Sequence, residues 1–535
     1  MHTLKDQPVL ILGLGVSGLA MARWCARQGA QVIVADTREA PPQLTALRAA
    51  VPQARFIAGP LEAALLNLND ATQTVRAVFK SPGLTPASVA LVFEAALQHG
   101  ISTGGELSLF AMALKTLANP AEGVPAYVPK VLAITGTNGK TTVTSLTGQL
   151  IERAGKTVAI AGNIGPTLLD TLTECLNADT LPEVWVLELS SFQLQDAGDF
   201  EPTAGTVLNV TQDHLDWHGD IAAYAAAKAR VFGRNATMLL NREDPLVMAM
   251  RPVPVKPVRV AKPVPVQGEK GESIPFTVKP VLARNILFFG GDMPQRPSDF
   301  GMEVVNGMAW LVRAHEADET RKTRRQRQDE PEALYLQRLM PADALRIRGR
   351  HNATNALAAL ALTAAAGCAI GPALYALREY RGEPHRVESV AIVNEVEYVD
   401  DSKGTNVGAT VAALKGLGED LGGDFAGQRR LWVILGGDGK GQDFSPLAAP
   451  VAQYVRGVVL IGRDARQIRE ALALTGVELI DVATLPEAVQ LCSRRAQSGD
   501  AVLLSPACAS IDLFDNYVHR ARVFCDAVQD LEASA

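Results

Sequence analysis

Residues 130–142 read KVLAITGTNGKTT: an apolar run from Val131 to Ile134 breaks at a glycine turn and runs straight on into a helical sequence. A strand, a tight turn and a helix in that order form a phosphate cradle. In such a turn, Gly136-Thr137-Asn138-Gly139-Lys140-Thr141-Thr142 here, backbone N–H groups hold the phosphates, Lys140 neutralises charge, and a hydroxyl, that of Thr141, binds Mg²⁺. Ile134 occupies the place where the usual pattern has its first glycine, so the motif is the last part of a P-loop in the right setting. This unit predicts an α/β domain built on a parallel sheet, with nucleotide chemistry at the carboxyl ends of its strands.

Downstream of that turn, Glu188 closes the apolar strand VWVLE, where a carboxylate is placed to hold the nucleotide's metal or simply to cap a turn. His214 lies among acids in TQDHLDWH at 211–218, and Lys228 follows on an Ala-rich helix. Taken alone, a surface histidine and a solvated lysine describe those two as well as any ligand role does.

Upstream, a second glycine turn, GLGVSG at 13–18, follows the strand Pro8 to Leu12 and opens a helix, and Asp36 ends the next strand. Gly13, Gly15 and Gly18, with an acid that seeks ribose hydroxyls, fit a dinucleotide or a nucleotide-sugar, and this motif by itself leaves NAD open. Short β-branched runs at Pro8 to Leu12, Gln31 to Ala35 and Val75 to Phe79 alternate with helical stretches, the mark of βαβ units. A Pro/Gly-rich connector at 118–129 separates this part from the P-loop unit. From about Gly382 the alternation resumes, with strands at Leu431 to Leu435, Val458 to Ile461 and Ala501 to Leu504. The stretch from about Arg251 to Met340 is different: many prolines, paired glycines and the basic run RKTRRQR at 321–327 read as an insertion that elaborates the surface. A chain of 535 residues, at roughly 150 per domain, divides into three: 1–103, 104–382 with the insertion at about 251–340, and 383–535.

The composition, 47% hydrophobic and 20% charged with a net charge of −6, is that of a globular protein with no electrostatic reason to bind nucleic acid. No apolar stretch approaches the roughly 20 residues of a membrane helix, and the opening MHTLKDQPVLILGLG runs directly into a strand, so a cytoplasmic protein without a signal peptide is expected. Cys25, Cys175, Cys368, Cys492, Cys508 and Cys525 are scattered without metal-ligand spacing and read as structural.

GTNGKTT, ELSSFQL, NVTQDHLDWH, GRHNATNALAAL, PHRVE, DDSKGTN, LGGDGKGQDF and SPACASIDLFDNY follow one another in the order seen in Mur ligases, which this chain resembles over nearly all its length outside the insertion. The last four point to the branch that adds D-glutamate. The resemblance implies a Rossmann-like N-terminal domain, a central P-loop ATPase-like domain with a parallel sheet, and a C-terminal Rossmann-like domain. It implies an ATP-dependent ligase acting through an acyl phosphate on UDP-N-acetylmuramoyl-L-alanine and D-glutamate, and it removes NAD from consideration. Asp36 and Thr37 would lie near the uracil, with Gly13, Gly15, Val16, Ser17 and Gly18 facing the diphosphate, Ser81, Pro82 and Gly83 flanking it, and Asn163 touching the muramoyl part. The P-loop residues 136–142, Asn352, Asn355, Arg386 and Asp401 would hold ATP. Thr141, Glu188, His214 and Lys228 would serve Mg²⁺, with two ions expected and Lys228 converted by CO₂ to a carbamate. Lys140, Glu188, His214 and Lys228 would form the catalytic set. Lys403, Thr405, Lys440, Ser510, Ile511 and Tyr517 would surround D-glutamate, whose two carboxylates suit cations and hydroxyls. Tyr517 stands where relatives often carry phenylalanine, and Ala521 where glycine commonly follows the arginine matching Arg520. Another Mur ligase, or a ligase like folylpolyglutamate synthase, is the nearest alternative. A monomer is expected, without nucleic acid or membrane span.

Overall fold

The computed structural model describes residues 4–67, 74–252, 284–317, 334–422 and 430–534. Its first sheet contains β1 (Pro8–Leu12), β2 (Gln31–Asp36), β3 (Arg55–Ala58), β4 (Ala77–Lys80) and β5 (Ser102–Gly104), all parallel in the order β3-β2-β1-β4-β5. Both faces of β1 are covered, which is why it reads as an unbroken apolar run and not as an alternation. Val9 and Ile11 join one cluster with Trp24 and Phe110, while Leu10 and Leu12 join another with Val89 and Val92.

The second sheet holds β6 (Lys130–Thr135), β7 (Val158–Gly162), β8 (Val184–Glu188), β9 (Ala204–Val207), β10 (Thr237–Asn241) and β11 (Ile286–Phe289), parallel throughout in the order β11-β10-β9-β6-β8-β7. The strand order reverses at β6, and a parallel sheet opens a crevice at the carboxyl ends of the strands at such a point. The P-loop, Glu188 and the segment leading to His214 all leave the sheet there, from β6, β8 and β9. Leu132 and Ile134 pack under the helices Lys140–Arg153 and Arg350–Ala365. On the opposite face Ala133, Trp185 and Leu187 share a core with β1, and the rings of Phe110 and Trp185 meet edge to face at 5.1 Å. The first two sheets therefore stand on one continuous apolar core.

The stretch read as an irregular insertion is corrected here for its described part. β11 is an edge strand of the second sheet, and β12 (Phe300–Val305), β13 (Met308–Glu316) and β14 (Leu334–Pro341) form an antiparallel sheet. Phe300, Met302, Leu311 and Met340 are buried against the helix Arg350–Ala365, so the element completes the core instead of standing off it. The proline- and arginine-rich runs that suggested an insertion fall in 253–283 and 318–333, outside the described residues.

The last sheet joins β15 (Glu388–Val393), β16 (Val396–Asp400), β17 (Leu431–Gly436), β18 (Val455–Ile461), β19 (Glu478–Asp481) and β20 (Ala501–Leu504) in the order β15-β16-β20-β17-β18-β19. Five strands are parallel, as the sequence predicts. β15 runs antiparallel to β16 through a two-residue turn with positive φ at Asn394 and Glu395, a hairpin geometry whose usual Asn-Gly signal is absent. All six cysteines are free, and among the described residues no helix is long and apolar enough to cross a membrane.

Candidate active site

Gly139 adopts φ +82°, and a Cβ there would stand 2.7 Å from Asn355 Oδ1, so the phosphate turn and the helix Arg350–Ala365 are in intimate contact. Lys140 Nζ donates to the carbonyls of Gly136 (2.9 Å) and Thr137 (2.8 Å). Lys228 Nζ reaches the same Gly136 carbonyl at 2.8 Å and lies 4.4 Å from the Tyr224 ring centroid. Two lysines thus converge on one oxygen. Burial holds both amines below the ordinary lysine pKa, Lys228 well below it with the charge of Lys140 adding to the effect; Glu188 and Asp213 oppose the shift at Lys140, and Asp213 opposes it at Lys228.

Glu188 is fully buried at the end of β8. Its Oε1 accepts from Asn163 Nδ2 at 3.1 Å, while Oε2 is buried without a hydrogen-bond partner. A buried, unpartnered carboxylate oxygen is costly unless something cationic meets it. His214, at φ +54°, has its ring 4.8 Å from that of Phe192 and its Nε2 3.7 Å from Asp213 Oδ2. Burial lowers its pKa although Asp213 works the other way, favouring the neutral imidazole that can ligate a metal.

The third sheet-bearing unit, residues 385–534, closes over this site. Arg386 donates to the Thr141 hydroxyl, Asn138 Nδ2 donates to Asn406 Oδ1 at 3.1 Å, and Lys440 Nζ meets Asp213 Oδ1 at 3.1 Å. Burial by itself would raise the Asp213 carboxyl, but Lys440, His214 and Lys140 hold it below the ordinary carboxylate value. Lys403 Nζ sits 3.9 Å from the Tyr517 ring centroid, and burial, with Arg386 and Lys140 nearby, brings its pKa down to about 8. Asp401 is raised to about 7 by burial although Ser505 donates to it at 2.6 Å and Arg386 is near. The Thr405 N–H donates to the Lys403 carbonyl at 2.8 Å. Ser510 is buried, its carbonyl accepting from Phe514 N–H at 2.8 Å, whereas Ile511 is exposed.

A cavity of about 310 Å³ lies between the two units. The central one contributes Asn138, Gly139, Thr142, Asn352 and Asn355 to its wall, and the last one contributes Arg386, Asp401 and Lys403. Most of the residues expected at ATP are thereby brought to one space.

The first sheet carries a separate group. Gly13 has φ +83°, and a Cβ on Gly18 would lie 2.1 Å from the Gly13 carbonyl oxygen, so only glycine fits this turn. The Ser81 N–H donates to the Leu12 carbonyl at 2.8 Å, and Ser81 Oγ would be 3.6 Å from a Cβ on Gly15, which places 81–83 beside the turn. Val16, Thr37 and Gly83 are exposed and Pro82 is half-buried; Ser17 donates to Glu106. Asp36 is already engaged: it accepts from the Leu14 N–H at 2.7 Å and from the Arg38 guanidinium at 2.8 Å. Arg38 holds its carboxyl at about 2.

With that geometry in hand, the family patterns divide the chain as its sheets do. The MurD-like N-terminal domain of Mur ligases matches residues 7–105, the Mur ligase middle domain 134–262, and the Mur ligase glutamate ligase domain 385–508. The chain is 61% identical over 535 residues to a UDP-N-acetylmuramoylalanine–D-glutamate ligase of Albidiferax ferrireducens, covering 100% of this chain and 98% of that one. The chain belongs to the Mur ligase family. A ligase of the same name from a Polaromonas species is 54% identical, covering 99% of each chain. In fold, this Mur ligase is similar to the MurF ligase from Thermotoga maritima solved in complex with ADP, at a TM-score of 0.53 and 15% identity, with each chain covered to 100%.

Several groups at the site of this Mur ligase escape a reading of the sequence. Arg38 stands two residues beyond the acid it clamps, a spacing with no motif of its own. Asp213 and Asn406 lie inside the quoted runs NVTQDHLDWH and DDSKGTN, but their task is to join two units that a linear reading keeps apart. Asn241, Glu243 and Phe289 line the cavity from the ends of β10 and β11. Only the strand order, which sets those two beyond β9, reveals them.

Proposed function

We propose that this Mur ligase joins D-glutamate to UDP-N-acetylmuramoyl-L-alanine with the hydrolysis of ATP to ADP and phosphate, in the cytoplasmic synthesis of peptidoglycan precursors. The observation that carries the chemistry is the convergence of a P-loop, a buried carboxylate and two third-unit lysines about the space between the central and last sheets.

The substrate carboxylate is inert to an amine at neutral pH. Transfer of the ATP γ-phosphoryl group to the L-alanyl carboxylate gives an acyl phosphate, which the D-glutamate amine attacks as phosphate leaves and the nitrogen loses its proton. The phosphoryl transition state spreads negative charge over its oxygens, so positioning and cationic groups supply most of the catalysis. Lys140, now bonded to the carbonyls of its own turn, is free to exchange them for phosphate oxygens. Lys403 and Lys440 face an amino acid with two carboxylates, and closure of the last unit excludes water.

The residues fit Mg²⁺. Thr141, Glu188 and His214 would hold it, and the unpartnered Glu188 Oε2 with the proton-poor His214 ring is the donor set a hard cation finds acceptable. When bound, the ion supplies neutralisation of phosphate charge. A carbamate on Lys228 suits the same site, because CO₂ adds only to a neutral amine and burial lowers the proton affinity of this one well below that of an ordinary lysine. It would place anionic oxygens beside the metal where an ammonium repels it. The reading is tested by ADP release measured across candidate amino acids: it requires release that depends on both the muramoyl substrate and D-glutamate, and release that is equal with D-alanine would refute it.

A further inference from the structure

The muramoyl substrate has to be held at both ends, its UDP on the first sheet and its carboxylate at the P-loop, so the spacing between those two units is part of the binding site. Among the described residues, ion pairs that span that junction include Arg23 with Asp170 at 3.5 Å and Lys80 with Asp196, and the second adjoins the loop at 81–83. Lys80 ends β4, immediately before Ser81-Pro82-Gly83. Its Nζ lies 2.7 Å from Asp196 Oδ2, with side-chain exposures of 1% and 13%. Asp196 directly follows the short helix Ser191–Gln195, which starts three residues after Glu188. The same Nζ donates to the Leu84 carbonyl at 3.4 Å and stands 5.8 Å from the Trp217 ring centroid. Trp217 packs on Phe192 at 4.3 Å, and its backbone N–H donates to the His214 carbonyl at 3.2 Å.

The backbone around the pair is built for close approach. A Cβ on Gly105 would come within 3.4 Å of Asp196 Cβ and 3.5 Å of the Lys80 carbonyl oxygen, and one on Gly198, at φ +58°, within 3.0 Å of Ser108 Cβ. Burying two charges here is not the cheapest way to hold two units together, since apolar side chains of similar size stabilise at least as well. What an ion pair adds is direction: a cation held by a carboxylate, a carbonyl and a ring face can occupy only one place.

We infer that Lys80 and Asp196 are positioning residues that fix the UDP-side loop at 81–84 relative to the strand end bearing Glu188 and the turn bearing His214, and so set affinity for the muramoyl substrate. The inference rests on the proposed function. ATP and D-glutamate bind between the central and last units, across a different junction, so their affinities are independent of this pair. Loss of uniform binding to one substrate raises its KM and leaves kcat alone.

The experiment compares wild type with Lys80→Met, Asp196→Asn and the double variant Lys80→Met/Asp196→Leu, measuring Tm and the steady-state constants for all three substrates. Each single variant leaves one charge unpaired and loses both stability and muramoyl affinity. The double variant recovers the wild-type Tm but retains a KM for the muramoyl substrate raised about tenfold, about 1.4 kcal/mol of muramoyl affinity, with kcat and the KM values for ATP and D-glutamate unchanged. A double variant with wild-type muramoyl KM would show that the pair serves stability alone, and a rise in all three KM values together would also overturn the assignment. Should Lys80→Met fail to fold, Asp196→Asn and the double variant carry the same comparison. Absence of D-glutamate-dependent ADP release in the wild type would refute the function and not this pair.

Discussion

Lys140, Lys228 and Lys403 carry the same side chain into three surroundings, and burial lowers the proton affinity of each. For Lys403 the consequence can be read as a pH profile. Its pKa of about 8 in the free enzyme means that it is cationic below that value and neutral above it. A carboxylate is attracted to the cation only, so kcat/KM for D-glutamate loses this contribution as pH rises through about 8. The D-glutamate amine titrates as well, so the informative measurement is the ratio of the wild-type profile to that of Lys403→Arg, whose guanidinium keeps its charge. That ratio falls above pH 8; a flat ratio would show that Lys403 does not meet the substrate carboxylate. For Lys228, Lys228→Ala is expected to lose most activity and to regain part of it with added short carboxylates, which can enter the space of a carbamate. Rescue by short amines, and not by carboxylates, would return the residue to the role of a plain cation.

The elements show which parts of the molecule were open to a linear reading. Strand, glycine turn and helix at 130–153, the GLGVSG turn and the strands β17, β18 and β20 were legible because each is local: period, turn chemistry and burial agree within a few residues. Glu188, His214 and Lys228 were ambiguous as single residues and became interpretable only as members of an ordered series of motifs. The sheet of β12, β13 and β14 was misread for a physical reason. Only one face of its strands is buried, and the Pro-rich and Arg-rich runs around them dominated the composition of the stretch. The burial of this sheet makes a prediction that surface elaboration does not. Phe300 is fully buried against the helix Arg350–Ala365, which also carries Asn352 and Asn355. Phe300→Ala should therefore cost about 3–5 kcal/mol, seen as a lower midpoint in urea unfolding together with weaker ATP binding. Unchanged stability would restore the view of this sheet as surface elaboration.

At the scale of the whole molecule, polar contacts between the last unit and the central one include Arg386 to Thr141, Asn406 to Asn138 and Lys440 to Asp213 and, away from the cavity, Arg348 to Glu397 at 2.8 Å. The first three involve P-loop residues or the segment before His214, so the state of the P-loop and the position of the last unit are coupled. On the proposed function Lys440 would have to serve both Asp213 and a substrate carboxylate, so D-glutamate would compete for one of the contacts that close the molecule. A ligand shifts such an equilibrium only by its difference in affinity between the two arrangements. On the proposed function ATP would have that difference, because the cavity assigned to it is walled from both sides. A non-hydrolysable ATP analogue at 100 times its Kd is expected to stabilise the molecule by about 2.7 kcal/mol, and in wild type that gain should appear in the unfolding of the central and last units together. In Glu397→Ala/Asn406→Ala/Lys440→Ala only Arg386 of these four contacts still ties the last unit, so the analogue should protect the amides of the helix Lys140–Arg153 from hydrogen exchange while protecting those of β17 and β18 less than in wild type. Equal protection of both units in that variant would mean that Arg386 alone couples them, and the coupling would then have to vanish in Arg386→Ala.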